Sequence, residues 1–199
     1  MAEAESEIPR KVALFSGHMI DRSDRKTPRF PPGREPIAAA AIAKALADLD
    51  IGANDLAICG GACGGDLLFA DAALARAARL EIYIPFEEPQ FLANSVGFAD
   101  GFADPPWTAR FEGAKARGSL HIAARELGPT VAGEDPYGRN NLWMLEAASR
   151  FGAEKLDFIC LWDGQGGDDA GGTSDMWDKV KERGGRTIWL EVQKLWPSS

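Results

Sequence analysis

The chain has 199 residues, a net charge of −8, 45% hydrophobic and 26% charged residues, a composition typical of one globular domain. No apolar run reaches the roughly 18 residues of a membrane span, and residues 1–10 lack the layout of a signal peptide. We therefore expect a disordered leader over residues 1–10, one cytoplasmic domain over residues 11–199, and no membrane partner. Because a broad nucleic-acid surface needs a basic stripe, the acidic charge predicts no nucleic-acid partner.

The cysteines and histidines do not form a metal-binding pattern. Cys59 and Cys63 have no matching second pair, Cys160 stands alone, and His18 and His121 lie far apart in the chain. Structural zinc sites use four such ligands at short, paired spacings. The sequence therefore predicts reduced thiols, no metal site and no bound cofactor.

Apolar, strand-like runs alternate along the chain with helical patterns. Strands are predicted at 11–17, 55–61, 80–86, 119–124, 155–163 and 186–192, and helices at 35–50, 64–78, 89–99, 107–118, 140–151 and 173–183. This alternation indicates a Rossmann-like, doubly wound α/β fold, with a mainly parallel sheet and helices on both faces. Residues 87–138 are the least regular part, and they are predicted to form an irregular insertion that roofs the site.

Glycine-rich turns follow two of the predicted strands. Ser16 and Gly17 end the first strand, and the second strand is followed by Gly60, Gly61, Gly64 and Gly65. Missing β-carbons expose backbone N–H groups, and the helix that follows adds roughly half a positive charge at its N-terminus. These features predict a phosphate-binding turn at 60–65. The alternative is a tight turn that only lets a helix and a strand pack closely.

A second glycine loop follows the strand at 155–163. Gly171 and Gly172 precede Thr173 at the start of a predicted helix, so backbone amides and a hydroxyl are available for a second phosphate or a ribose. Trp162, at the end of that strand, is placed to stack on a base. The alternative for this segment is an ordinary N-cap on an acidic loop.

Charged residues in the middle of the chain are further candidates. Glu87 and Glu88 follow the third strand and could act as a general base or hold ribose hydroxyls; the alternative is solvated charges at a helix start. Arg139 could clamp a phosphate through its planar guanidinium, and the adjacent Asn140 could cap a helix.

Two segments of the sequence resemble a known superfamily. The segment ICGGACGGDLLFADAALARAARLEIYIPF resembles a block in which a strand ends in glycines, a small-residue helix follows and the next strand ends in proline, as at Pro85. The segment CLWDGQGGDDAGGTSDM is similar to a looser version of the block Pro-Gly-Gly-x-Gly-Thr-x-x-Glu. Both blocks are typical of the SLOG superfamily, which joins the LOG phosphoribohydrolases, the Rossmann domain of DNA-processing protein A and molybdenum-cofactor carrier-like proteins.

The resemblance implies a Rossmannoid fold and nucleotide binding at the matching positions, which are Gly60, Gly61, Gly64, Gly65, Gly172 and Thr173. The LOG enzymes carry a catalytic glutamate three residues after the motif threonine. Here that position is Met176, with Asp175 one residue earlier, so the hydrolase chemistry does not carry over. The whole sequence also resembles domains found beside bacterial signalling modules such as nucleotide cyclases.

The sequence therefore predicts a nucleotide-binding domain of the sensor or signalling type, with a small-molecule nucleotide as ligand and its phosphate at 60–65. The alternative is an N-glycoside hydrolase acting on nucleoside monophosphates, for which Glu87, Glu88 or Asp175 would supply the carboxylate. A third hypothesis is a structural interaction module. Enzymatic activity stays open at this stage, and a homodimer is compatible with the sequence.

Overall fold

The computed structural model of the protein describes residues 8–165 and 172–196. The strands in these residues are β1 (Val12–Gly17), β2 (Leu56–Cys59), β3 (Arg79–Ile84), β4 (Ser119–Ile122), β5 (Leu156–Trp162) and β6 (Arg186–Glu191). The α-helices are α1 (Glu35–Asp48), α2 (Gly65–Ala75), α3 (Glu88–Ser95), α4 (Trp107–Arg117), α5 (Ala123–Glu126), α6 (Pro136–Ser149), α7 (Thr173–Glu182) and α8 (Val192–Leu195). No helix in the described ranges is long and apolar enough to cross a bilayer.

The six strands form one sheet in the order β4-β3-β2-β1-β5-β6, and every neighbouring pair is parallel. Parallel strands need crossover connections, and here helices cover both faces of the sheet. Helices α1, α2 and α4 pack on one face, whereas α6 and α7 pack on the other. The predicted Rossmann-like, doubly wound fold is confirmed.

Strand β1 is buried on both faces. Ala13 and Phe15 pack on the side of α1 and α2, while Val12 and Leu14 pack on the side of α6 and α7. Successive side chains of a strand point to opposite faces, so a strand between two helical layers is apolar throughout. Each large apolar side chain buried in this way contributes about 1.5–3 kcal/mol, which makes β1 a well-anchored support for the residues at its carboxyl end.

The direction in which the sheet grows reverses at β1. Strands β2, β3 and β4 extend it on one side, and β5 and β6 extend it on the other. The crossovers that begin at β1 and β5 therefore leave on opposite faces of the sheet. This topological switch point opens a crevice at the carboxyl ends, near Ser16 in β1 and its register partner Cys160 in β5.

The structure differs from the predicted irregular insertion at 87–138. This segment contains α3, α4 and β4, and β4 pairs with β3 as the edge of the sheet. Trp107, Phe111 and Ala114 recur at helical spacing and are buried against the sheet, so α4 is a regular crossover helix. The sequence predicts this helix at 107–118 and the strand at 119–124, and the structure shows that they form a regular crossover and the edge strand of the sheet.

Helix α6 begins earlier than the sequence predicts. Its N-cap is Asp135, whose carboxylate accepts hydrogen bonds from the amides of Tyr137 (3.0 Å) and Gly138 (2.7 Å). Asn140 therefore lies inside the helix and does not cap it. Its side chain is buried on the same face as Met144.

The N-terminal leader and the loop after β1 are tied to the sheet at different places. Of the predicted leader, residues 1–7 lie outside the described residues, whereas Arg10 binds the buried carboxylate of Asp55 at 2.8 Å. After β1, Met19 forms an antiparallel bridge to Gly64. The loop that follows is held by Asp21, whose carboxylate accepts the amide of Phe30 at 2.9 Å. The loop therefore covers the carboxyl edge of the sheet at a fixed position.

Candidate functional site

A cavity of about 190 Å³ lies at the carboxyl ends of β1, β2 and β3, beside the first turns of α6 and α7. Its polar lining consists of Ser16, Asp66, Tyr137, Asn140, Asn141 and Thr173. Apolar walls and glycines complete it: Met19, Ala62, Pro85, Phe91, Met144, Gly17, Gly60 and Gly172. The cavity therefore occupies the switch-point crevice, where ligands of open parallel sheets bind.

Two hydroxyl groups join β1 to α7 at this cavity. Ser16 Oγ lies 2.9 Å from Thr173 Oγ1, across 157 positions of sequence. Gly172 is the N-cap of α7 and supplies no side-chain oxygen to the helix. Among the described residues, the first-turn amides of α7 therefore end at the cavity without a side-chain cap, and helix N-termini of this kind favour an anion.

Asn140 lines the cavity and carries a buried acceptor oxygen. Its Nδ2 donates a hydrogen bond of 2.9 Å to the carbonyl oxygen of Tyr83. Its Oδ1 has no hydrogen-bond partner among the described residues, and only 3% of the residue is exposed. Leaving a buried acceptor unpaired costs about 1–3 kcal/mol, so a ligand that donates to Oδ1 would regain this energy.

Asp66 is the carboxyl group that lines the cavity among the described residues. It lies in the first turn of α2, is 9% exposed, and its Oδ2 accepts the amide of Ala62 at 3.2 Å. Burial raises the pKa of this carboxyl to about 7, and the Ala62 hydrogen bond opposes the shift. At neutral pH the group is therefore divided between the carboxylic acid and the carboxylate.

Sequence reasoning did not select Asp66 or Asn140, although each leaves a trace in the pattern. Asp66 shares the buried face of α2 with Ala70 and Ala73, and Asn140 shares that of α6 with Met144. A polar residue at an apolar position of a helix is uncommon, because burying it without a partner costs free energy. A polar residue that interrupts the apolar face of a predicted helix is the sequence signal that could have identified Asp66 and Asn140.

The structure does not support the predicted phosphate cradle at 60–65. Gly64 N-caps α2 at φ 95°, and a β-carbon there would lie 2.8 Å from the amide nitrogen of Ile20. The amide of Gly65 donates to the carbonyl oxygen of His18 at 3.1 Å. The missing β-carbons therefore admit the backbone of the loop after β1 and do not leave open space for a ligand.

Two other glycines of this turn have different surroundings. A β-carbon on Gly61, at φ 73°, would lie 2.7 Å from Ile82 and 3.3 Å from Phe111, so Gly61 serves packing. Of the four predicted glycines, Gly60 is the one that lines the cavity among the described residues.

The structure places the residues predicted after β5 at different locations. Gly172 and Thr173 line the cavity, whereas Gly171 lies outside the described residues. Trp162 points elsewhere: its indole N–H donates to the carbonyl oxygen of Gln165 at 2.7 Å, and its ring packs 5.7 Å from that of Trp189. Ser16 and Gly17, predicted at the end of β1, do line the cavity.

The three predicted catalytic carboxylates are engaged in ion pairs away from the cavity lining. Glu87 pairs with Arg125, which lowers the pKa of the exposed Glu87 carboxyl. Glu88 lies 2.5 Å from Lys115. Asp175 lies 2.8 Å from Lys179, one turn further along α7. The structure thus pairs each of them with a basic side chain and does not bring them together.

Arg139 is also committed elsewhere. Its guanidinium donates to the carbonyl oxygens of Leu127 at 2.7 Å and Gly128 at 3.0 Å, and it approaches Glu134 at 3.6 Å. These contacts hold the loop before α6. The guanidinium is not part of the cavity lining in the described ranges.

A second cavity, of about 460 Å³, adjoins the first and shares Gly17 and Met19 with it. The loop after β1 lines this cavity with three arginines, Arg22, Arg25 and Arg29, and with two aspartates, Asp21 and Asp24. This side of an acidic protein thus carries a local group of guanidinium donors.

His18 lies at the border of this arginine-lined cavity and is neutral. Its Nε2 accepts the backbone amide of Asp163 at 3.1 Å. Burial lowers the pKa of the imidazole to about 4, although the nearby Asp163 carboxylate opposes the shift. His18 therefore joins β1 to the end of β5 without adding charge.

Comparisons with known proteins give a distant likeness of fold. No protein-family model matches the chain, and no curated protein matches it. DNA-processing protein A from Streptococcus pneumoniae is 16% identical with a TM-score of 0.41, over 96% of this chain and 61% of that one. DNA-processing protein A from Helicobacter pylori is 16% identical with a TM-score of 0.36, over 95% of this chain and 79% of that one.

DNA-processing protein A is one of the groups that the sequence motifs resemble. This chain spans about three fifths of the length of the S. pneumoniae protein. At 16% identity and TM-scores below 0.5, no residue role passes from these proteins to this chain.

The prediction of a small-molecule ligand and no nucleic-acid partner is contradicted by this comparison. The H. pylori structure is described as showing a single-stranded DNA binding mode. The prediction rested on a net charge of −8, and net charge does not describe how charge is distributed. Arg22, Arg25 and Arg29 line one cavity of this acidic protein, so the charge balance alone does not exclude nucleic acid.

Proposed function

We propose that the protein binds a nucleotide unit in the 190 Å³ cavity, as a binding domain of the sensor or signalling type. The observation that carries the proposal is the buried Oδ1 of Asn140, which receives no donor from the described residues and belongs to a residue that lines a cavity at the switch-point crevice. Nucleobases and sugars carry the N–H and O–H groups that such an acceptor requires.

The proposal assigns the phosphate to the N-terminus of α7 and not to the turn at 60–65. Gly172 leaves the first-turn amides of α7 without a side-chain cap, and the hydroxyls of Ser16 and Thr173 lie at the same end. Helix N-termini favour anions through these amides and the helix dipole. The adjoining cavity adds guanidinium donors on this side, although Asp21 and Asp24 share its lining and Arg25 and Arg29 pair with Asp21 and Asp163.

The size of the cavity indicates that only part of a nucleotide enters it. Sites for whole small-molecule ligands measure roughly 300–1,000 Å³, whereas this cavity measures about 190 Å³. A free nucleotide and a nucleotide within a single strand of nucleic acid share the chemistry that fits. The rest of a single strand would extend over the adjoining arginine-lined cavity.

Calorimetric titration with the four common nucleoside 5′-monophosphates and with a single-stranded oligonucleotide of about ten nucleotides tests the proposal. Binding of the mononucleotides identifies a free nucleotide as the ligand. Binding of the strand alone identifies a polynucleotide as the ligand. Thr173→Val should lower the affinity for either ligand about tenfold, because a hydrogen bond to a charged group is lost. The control Thr187→Val, in β6, should leave affinity unchanged. Absence of binding to all these ligands overturns the proposal.

A second candidate function, N-glycoside hydrolysis, is favoured by one observation. The predicted carboxylates Glu87, Glu88 and Asp175 are paired elsewhere, but Asp66 lines the cavity with a pKa of about 7, in the range of a general acid or base. Met176, at the position of the LOG glutamate, is buried in the core. Incubation with the monophosphates, followed by chromatography, tests for free base and ribose 5-phosphate. Release that Asp66→Asn abolishes would establish the hydrolase.

A further inference from the structure

Two side chains in the lining of the 190 Å³ cavity, Asn140 and Asp66, carry acceptor oxygens to which the described residues donate nothing further. Asn140 has committed its Nδ2 to Tyr83 and presents Oδ1. Asp66 accepts one backbone amide at Oδ2 and receives no other donor from the described residues. A carboxylate offers about four lone-pair sites, so it retains capacity for donors from a ligand.

The hydroxyl groups of the cavity are already paired with protein partners. Ser16 and Thr173 bond each other at 2.9 Å, and Tyr137 bonds Ser95 at 3.1 Å. Apolar side chains of Pro85, Phe91 and Met144 form the remaining walls. The cavity thus combines apolar walls and paired hydroxyls with the acceptor oxygens of Asp66 and Asn140, and a flat ring that carries donors on one edge would match those acceptors.

Building on the proposed function, we infer that Asp66 and Asn140 make this cavity selective for a guanine-type base, whose ring N–H and amino group are adjacent donors. Two parallel donors suit the two oxygens of a carboxylate, as they do in bidentate arginine–carboxylate pairs. Adenine and cytosine present one amino donor beside a ring acceptor, and uracil presents one N–H between two carbonyls. Those edges would place an acceptor against the Asp66 carboxylate or leave one of its oxygens without a donor.

The vicinal hydroxyls of a ribose are the other pair of donors that a nucleotide offers to a carboxylate. The apolar walls favour the base, because ribose would turn hydroxyls toward Phe91 and Met144 and leave them unpaired. A base in this position can stack its faces on aromatic and aliphatic side chains. The two assignments differ in what they predict for deoxynucleotides.

Titration of the full chain at about pH 8, where Asp66 is ionised, separates these possibilities. GMP should bind at least about tenfold more tightly than AMP, and also than IMP, which lacks the amino group. Neither AMP nor IMP can donate both hydrogen bonds of the guanine edge to the Asp66 carboxylate. 2′-Deoxy-GMP should bind as GMP does. If only strands bind, single-stranded oligonucleotides rich in guanine or in adenine replace the mononucleotides, with the same expected ratio.

Asp66→Asn should remove the preference for guanine, since an amide replaces one acceptor by a donor, while binding of AMP persists. Asp175→Asn is the matched control and should keep the preference. Equal affinity for all bases, or a requirement for the 2′-hydroxyl without regard to the base, overturns the inference and leaves the proposed function standing. Failure of every nucleotide and strand to bind overturns the proposed function. The wild-type comparison of GMP, IMP and AMP decides the question even if Asp66→Asn fails to fold.

Discussion

The side-chain amide of Asn140 donates to the backbone carbonyl of Tyr83 at 2.9 Å, which ties α6 to the end of β3 and fixes the orientation of the amide. The same contact leaves Oδ1 buried without a donor. The Asn140 side chain thus has one polar atom with a structural hydrogen bond and one buried polar atom without a partner among the described residues. Substitutions can separate the two.

Asn140→Leu should weaken nucleotide binding at least about tenfold and should change the free energy of unfolding by less than about 2 kcal/mol. The leucine leaves the Tyr83 carbonyl without its donor, but it also removes a buried acceptor that had no partner, and these effects oppose each other. Calorimetric titration and urea unfolding measure the two quantities. Asn94→Leu, at an exposed position of α3, is the control. Unchanged affinity in a folded Asn140→Leu protein would remove Asn140 from the site.

Gly64→Ala should destabilise the fold by more than about 2 kcal/mol. A β-carbon at position 64 would lie 2.8 Å from the backbone of Ile20 and 2.9 Å from that of His18. In addition, Gly64 has φ 95°, a backbone conformation that residues with a side chain rarely adopt. Gly113→Ala is the matched control: nothing lies within 4 Å of its β-carbon in α4, and alanine should stabilise a helix interior by up to about 1 kcal/mol. Denaturant midpoints compare the two. A Gly64→Ala protein as stable as wild type would show that this turn is open.

The raised pKa of Asp66 makes the unfolding free energy depend on pH. Its carboxyl titrates near 3.8 when unfolded and at about 7 when folded, so the folded state binds more protons between these values. Stability from this group is therefore greatest below about pH 4 and falls as pH rises to about 7, by up to about 4 kcal/mol. His18 acts in the opposite direction between about pH 4 and 6.5, because burial lowers its pKa.

The contribution of Asp66 is isolated by comparing wild type with Asp66→Asn. The difference in unfolding free energy between the two proteins should shift in favour of the variant as pH rises from 5 to 8, as measured by urea unfolding at each pH. All other titrating groups, His18 included, cancel in this difference. A difference that does not vary with pH would show that Asp66 is ionised at an ordinary pKa.

Arg29→Ala tests whether the 460 Å³ cavity extends the site toward a polynucleotide. If a single strand is the ligand, this change should weaken its binding and lower the slope of log affinity against log salt by about 1. Mononucleotide affinity should change less than about twofold, because Arg29 is not in the described lining of the 190 Å³ cavity. Arg150→Ala, beside Glu81 on the face covered by α6, is the control. An unchanged salt slope would confine the ligand to the smaller cavity.

The fold was accessible from the sequence because its signals are local. The apolar run at 11–17 predicts β1, found at Val12–Gly17, and the run at 155–163 predicts β5, found at Leu156–Trp162. A central strand of a parallel sheet is buried on both faces and is therefore apolar throughout. Their alternation with helical periodicity was enough to predict a doubly wound sheet, and the rule for such sheets was enough to direct attention to strand ends such as Ser16.

The tertiary structure alone decided which strand ends are open. Gly64 meets Ile20, 44 positions earlier in the chain, and no local pattern records that a distant backbone segment will fill the space a glycine leaves. The same holds for the charges: Glu87 meets Arg125 and is drawn away from the cavity. Asp66 and Asn140, whose spacing in sequence carries no meaning, line one cavity because parallel strands bring the first turns of α2 and α6 to the same edge of the sheet.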